Sequence, residues 1–80
     1  MDDREVMARI NDLATEEHEL FERESQGKAS DEDRVRLKRL GETLDQCWDL
    51  LRQRRAREST GQNPDRATVR DTKTVEGYLG

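Results

Sequence analysis

The side chains best suited to acid–base or metal chemistry in this 80-residue chain are Glu17 and His18, which are adjacent. Carboxylate-bridged metal sites in helical bundles use a Glu-x-x-His spacing, because that spacing brings both side chains to one face. Adjacent residues on a helix point about 100° apart, and Thr15 occupies the position three before His18. We therefore expect no cofactor, and a metal-binding bundle is only the third hypothesis for function.

Two other features could carry chemistry. Cys47 has no His or Asp spaced to activate it and lies on an apolar stripe, where a cysteine behaves as a small hydrophobic residue. The arginine run at residues 52–57 could hold phosphate, but it has no aromatic stacking partner nearby and the chain carries a net charge of −4. We expect no enzymatic activity and disfavour nucleic acid as a partner, and we keep Arg54 and Arg55 as candidates for binding a partner protein.

Two apolar stripes at the helical period must position these side chains. The later stripe consists of Leu37, Leu40, Gly41, Leu44, Cys47, Trp48 and Leu51. The earlier stripe consists of Val6, Met7, Ile10, Leu13, Ala14, Leu20 and Phe21. Glu17 interrupts the earlier stripe, where a polar residue typically fixes the register or the oligomeric state of packed helices. The sequence predicts an all-α fold based on an antiparallel two-helix hairpin.

Local signals place the hairpin at residues 1–58. The first helix should cover about residues 2–25, the turn residues 26–30 and the second helix about residues 31–58. Gly27 suits the left-handed position that follows a helix, and Ser30 is a good N-cap for the acidic residues that follow it. Gly61 and Pro64 then end the second helix.

The charges indicate how the helices face each other. Residues 1–33 hold twelve acidic and four basic side chains, whereas residues 34–57 hold three and eight. An antiparallel hairpin in which facing residue numbers add up to about 57 aligns both apolar stripes and places Asp2, Asp3 and Glu5 beside the arginine run. Parallel pairing of like helices is disfavoured by the same charges.

Composition indicates that one hairpin is not enough. Leu, Ile, Val and Phe account for only fourteen of the 80 residues, and 42% of residues are charged. A core of this size is rarely stable alone. On a single hairpin, Phe21 and Trp48 would remain partly exposed to solvent. We therefore expect two hairpins to pair into a four-helix bundle, with a bulky group packed against Gly41: Phe21 of the same chain or Trp48 of a second.

Residues 59–80 read as an extended polar tail that is either flexible or docked. Its apolar end, around Val75 and Tyr78, could anchor it to the bundle or to another protein, with Tyr78 as the main contact. A lone cysteine, an amino terminus without the pattern of a secretory signal, and the lack of a long apolar run predict a cytoplasmic protein without a membrane contact.

The chain also resembles a family of short actinobacterial proteins classed as a domain of unknown function. The resemblance is carried by residues 16–20, 44–56, 63–65 and 75–78. It implies a small helical cytoplasmic protein and supplies no activity, cofactor or partner. Our main hypothesis is a homodimeric protein-interaction module. The alternative is a regulator of transcription or nucleic acid that uses the acidic tip of the hairpin or the arginine run.

Overall fold

The computed structural model describes the backbone of residues 2–79 and the side chains of residues 2–77. Helix α1 covers Asp3–Ser25. It begins at a capping box in which the Glu5 amide donates to Asp2 Oδ1 at 2.8 Å and the Glu5 carboxylate accepts from the Asp2 amide. Two of the amides that a helix start leaves unpaired are thereby satisfied.

The turn between the long helices closes with Gly27 at a φ of 71°. The Lys28 amide donates to the Arg23 carbonyl at 2.9 Å, and the Gly27 amide donates to the Glu24 carbonyl at 3.0 Å. This bond pair is a Schellman motif, which needs a left-handed residue at the position of Gly27. The prediction that Gly27 adopts a left-handed conformation after the first helix is therefore confirmed.

Helix α2 covers Asp31–Ser59 and starts at a second capping box between Ser30 and Asp33. It ends in another Schellman motif around Gly61, whose φ is 75°. Helices α1 and α2 pack antiparallel. Asp3 lies 2.6 Å from Arg54 and Arg23 lies 2.9 Å from Asp33 across their interface, which agrees with the predicted register to within one residue. The predicted all-α fold with two long helices is confirmed.

The C-terminal part differs from the extended tail that the sequence predicted. It contains a 3-10 turn, Pro64–Arg66, and a helix α3, Thr72–Leu79, and both pack against α2. Two α2 side chains hold the intervening backbone: Gln53 donates to the Thr68 carbonyl and Gln46 to the Arg70 carbonyl, at 2.9 and 3.0 Å. Residues 59–80 have too few apolar residues to form a helical stripe. Their sequence therefore did not predict that they would pack against α2.

The core lies in the half of the hairpin away from the turn. Its buried members are Val6, Ile10, Leu44, Cys47, Leu50 and Leu51. Val6 and Leu51 are each only 1% exposed. Towards the turn, Leu20 and Leu40 are also buried, whereas Leu13, Leu37 and Gly41 are half-buried. Leu50 was not part of the predicted stripe because it lies to one side of the α1-facing surface.

Candidate functional site

A groove lies between α1, α2 and α3 in the half of the hairpin near the turn. Its volume is about 530 Å³. The apolar lining residues are Phe21, Leu37 and Gly41. The charged lining residues are Glu17, Glu24, Arg34, Lys38, Glu42, Asp45 and Glu76. Five carboxylates against two basic groups give the groove an acidic rim around an apolar surface.

Gly41 leaves room within the groove. Among the described side chains, a Cβ atom added at Gly41 would meet only Glu17 Oε2, at 3.7 Å, which is an ordinary van der Waals distance. The prediction that Phe21 of the same chain packs against Gly41 is therefore wrong, because no Phe21 atom lies within 4 Å of that position. A glycine inside a helix costs about 1 kcal/mol relative to alanine, and packing among the described residues of one chain does not account for it.

Two aromatic side chains on the predicted interface are exposed. Trp48 is 45% exposed and Phe21 is 51% exposed. Trp48 follows Gly41 by seven residues, which is two helical turns, so both lie on the same side of α2. A tryptophan with nearly half of its surface in water next to an unfilled glycine position is typical of a contact surface rather than of a finished core.

Glu17 and His18 do not converge. Glu17 faces Gly41 in the groove, whereas the side chain of His18 is 75% exposed and its Nε2 lies 3.2 Å from Glu22 Oε1. Among residues 2–77, no group of three or more His, Cys, Asp or Glu side chains is placed to hold a metal ion. The helical geometry separates Glu17 from His18, as their adjacent positions suggested.

Arg54 is a structural residue rather than a free partner-binding side chain. It is 5% exposed and donates to Asp3 Oδ1 at 2.6 Å, Asp65 Oδ1 at 3.0 Å and the Pro64 carbonyl at 3.3 Å. The hydrogen bond from Arg54 lowers the pKa of Asp3, and the bond to Asp3 raises the pKa of Arg54. The candidate role for Arg54 in binding a partner is therefore corrected, while Arg55 remains exposed.

Glu76 forms the edge of the groove on α3. Its Oε1 atom is buried and has no hydrogen-bond partner among the described residues. The side-chain hydrogen bond with Asp45, which forms only when one of the two carboxyl groups carries a proton, raises the pKa of Glu76, as do burial and the negative charges of Asp45 and Glu42. The neighbouring Val75 is 3% exposed. Helix α3 is therefore held by an apolar contact beside a pair of like charges. The side chain of Tyr78 lies outside the described residues.

Sequence reasoning missed the polar face of α2 that receives the tail. Asp49 is 6% exposed, accepts a hydrogen bond from Gln53 at 2.9 Å and lies 3.5 Å from Arg70. Gln46, Asp49 and Gln53 recur in steps of three and four. A polar stripe at the helical period was therefore present in the sequence and could have indicated a surface that binds polar backbone. Cys47 lies on the opposite, buried side and is 8% exposed.

Comparison with known proteins identifies the family. The family described as "Protein of unknown function (DUF2630)" matches residues 2–80. Uncharacterized proteins from Mycobacterium bovis and from Mycobacterium tuberculosis strain H37Rv are each 48% identical over 79 residues, which cover 98% of this chain and 91% of the relative. No solved structure matches the chain.

These matches confirm the resemblance to short actinobacterial proteins. Neither the family description nor the relatives' names state an activity. Within the described part of the chain, no helix is both long and apolar enough to cross a bilayer. The profile match over nearly the whole chain, together with relatives at 48% identity, shows that this chain belongs to the DUF2630 family.

Proposed function

We propose that the protein is a homodimeric, non-enzymatic interaction module whose two chains pair through the side of α2 that carries Gly41 and Trp48. The observation that carries this proposal is the unfilled position at Gly41 beside the exposed Trp48. A helix keeps a glycine at an interior position when another group must approach its backbone closely. Since the described residues of the chain supply no such group, a second molecule is the natural source.

The exposed surfaces support a protein partner over a nucleic acid. A buried Arg54 removes the centre of the arginine run from any phosphate-binding surface. At the acidic tip, Asp33 is engaged in the α2 cap and lies 2.9 Å from Arg23. The groove instead combines aromatic and aliphatic surface with charged rims, which is the composition of protein interfaces.

Gly41→Ala tests the proposal because its effects on the single chain and on the dimer should have opposite signs. Alanine fits the unfilled position and has the higher helix propensity, so each folded chain should gain up to about 1 kcal/mol. The added methyl group should hold the second chain away and raise the dimer dissociation constant. Analytical ultracentrifugation measures the dissociation constant, and chemical unfolding of the dissociated chain measures stability.

Gly77→Ala is the matched control. Gly77 is also in a helix, and a Cβ atom there would meet nothing within 4 Å. It lies on α3 and not on the proposed pairing side of α2, so its alanine variant should leave dimerisation unchanged. If Gly41→Ala dimerises as well as Gly77→Ala does, or if the parent chain is monomeric, the proposed pairing through Gly41 is wrong.

A further inference from the structure

Helix α3 closes one side of the groove and is held to α2 by a small contact. Among residues 72–77, Val75 is the one apolar side chain that is buried. The chain before α3 is tethered separately, because Gln46 on α2 donates to the Arg70 carbonyl at 3.0 Å. That hydrogen bond lies outside the helix, so α3 can leave its place on α2 while the tether remains in place.

The polar part of this contact brings like charges together. Glu76 on α3 meets Asp45 and Glu42 on α2, and its buried Oε1 atom has no hydrogen-bond partner among the described residues. A hydrogen bond between the carboxyl groups of Glu76 and Asp45 needs a proton on one of them. The contact is therefore favourable while the pair holds one proton and repulsive when both carboxyl groups are ionised.

The other charged groups around the groove do not relieve this repulsion. They are Glu17 and Glu24 on α1 and Arg34 and Lys38 on α2. Arg34 is paired with Asp31, 3.0 Å away. Lys73, one turn before Glu76 on α3, is exposed. The pKa of Glu76 is raised by Asp45, by burial and by Glu42, and no basic side chain lowers it. Protonation is therefore the means by which the contact is satisfied within one chain.

We infer that α3 is a latch, in which the contact between Glu76 and Asp45 couples protonation to the shape of the groove. While the two carboxyl groups share a proton, α3 stays docked and the groove keeps its third side. When both are ionised, α3 leaves α2 and the groove opens on that side. The hairpin stays folded, because its core cluster lies in the other half. This inference goes beyond the proposed pairing of two chains, since every contact it uses lies within one chain.

An NMR titration of the full chain at low protein concentration tests the latch. The methyl signals of Leu37 in the groove and of Val75 on α3 should change together, with one midpoint above the ordinary Glu76 pKa of 4.5. The ¹⁵N NOE of the α3 amides should fall over the same pH range, because a released helix becomes mobile on the fast timescale that this NOE reports. The methyl signals of Val6 in the core should stay constant.

Three variants assign the titration to the contact between α2 and α3. Glu76→Gln and Asp45→Asn should each abolish most of the change at Leu37, because neither variant can place two negative charges in the contact. Glu24→Gln is the matched control. It removes a carboxylate that lines the same groove but does not act on Glu76, so the midpoint should be kept.

Three results would overturn the latch. Leu37 signals that stay constant while Val75 titrates would show that the docking of α3 does not shape the groove. Leu37 signals that titrate equally in Glu76→Gln would come from other carboxylates of the groove. A simultaneous change at Val6 would mean that the whole chain responds rather than α3 alone. None of these results bears on the proposed dimer, which light scattering tests separately.

Discussion

The two halves of the hairpin differ in how completely their side chains are packed and paired. In the half away from the turn, α1 and α2 enclose the core cluster, and Arg54 ties α1 to the 3-10 turn through Asp3 and Asp65. In the half near the turn, Phe21 is exposed, Gly41 is unfilled and the groove is open. The first half holds the fold together, whereas the second offers surface to another molecule.

The largest effect should come from truncating the core. Leu51→Ala should lower the free energy of unfolding by about 2–5 kcal/mol, because Leu51 is 1% exposed and its removal leaves a cavity. Leu37→Ala in the groove half is the matched comparison and should cost clearly less in the dissociated chain, since Leu37 is half-buried. Urea unfolding of both variants measures the difference. Equal losses of unfolding free energy in the two variants would show that both halves of the hairpin contribute equally to the stability of the fold.

Arg54→Ala should have the next largest effect. The variant leaves the carboxylates of Asp3 and Asp65 without their shared cation, so the first turn of α1 and the 3-10 turn should loosen together. Hydrogen exchange should show faster exchange at both places and little change near Gly27. Arg55→Ala is the control, because Arg55 is exposed. Unchanged exchange at the 3-10 turn would mean that Arg54 does not connect these elements.

The docking of α3 should depend on pH. Because the pKa of Glu76 is raised above its ordinary value of 4.5, its contribution is fully present below that value and is lost as the pH rises through the raised pKa. The pKa of Asp71, which caps α3 through the Thr74 amide, is instead lowered from 3.8, and its contribution is lost only in stronger acid. Docking should therefore be tightest in mild acid.

Methyl NMR signals of the buried Val75 can follow this docking as the pH is raised from below the ordinary Glu76 pKa of 4.5 to about 7.5. The parent chain should show progressive release of α3. Glu76→Gln carries no charge and should abolish most of that dependence, while the exposed Glu19→Gln on α1 should keep it. A parent chain whose Val75 signals do not change over this range would contradict the like-charge contact with Asp45.

Predictions that depend on local chemistry succeeded where those that depend on distant contacts did not. Gly27 and Ser30 identified their turn and cap because backbone requirements at those positions are set by a few neighbouring residues. The helix α3 and the burial of Asp49 depend on contacts between segments about twenty residues apart, such as Gln46 with the Arg70 carbonyl. A polar sequence gives little sign of such contacts, since the partner supplies the apolar or hydrogen-bonding surface.

In the candidate site, too, the features set by helical spacing were predicted, whereas those set by contacts between distant segments were not. The apolar stripe correctly brought Leu37 and Gly41 to one side of α2, and the spacing of Glu17 correctly placed it on the side of α1 that faces α2; the groove that these residues line was not predicted. The predicted register placed Asp3 beside the arginine run, but the sequence could not show that Asp65 would also bind Arg54, because Asp65 reaches it only after the chain reverses at Gly61. Its neighbour Arg55, identical in type, stays exposed.

The central claim is that the groove half is completed by a second chain. Light scattering after size exclusion, carried out over a range of protein concentrations, tests it most directly. The proposed dimer should have a molar mass of twice 9.4 kDa that falls towards 9.4 kDa on dilution. Trp48→Ala should shift this transition to higher protein concentration. A parent chain that stays at 9.4 kDa at every concentration would show that no second chain completes the groove half.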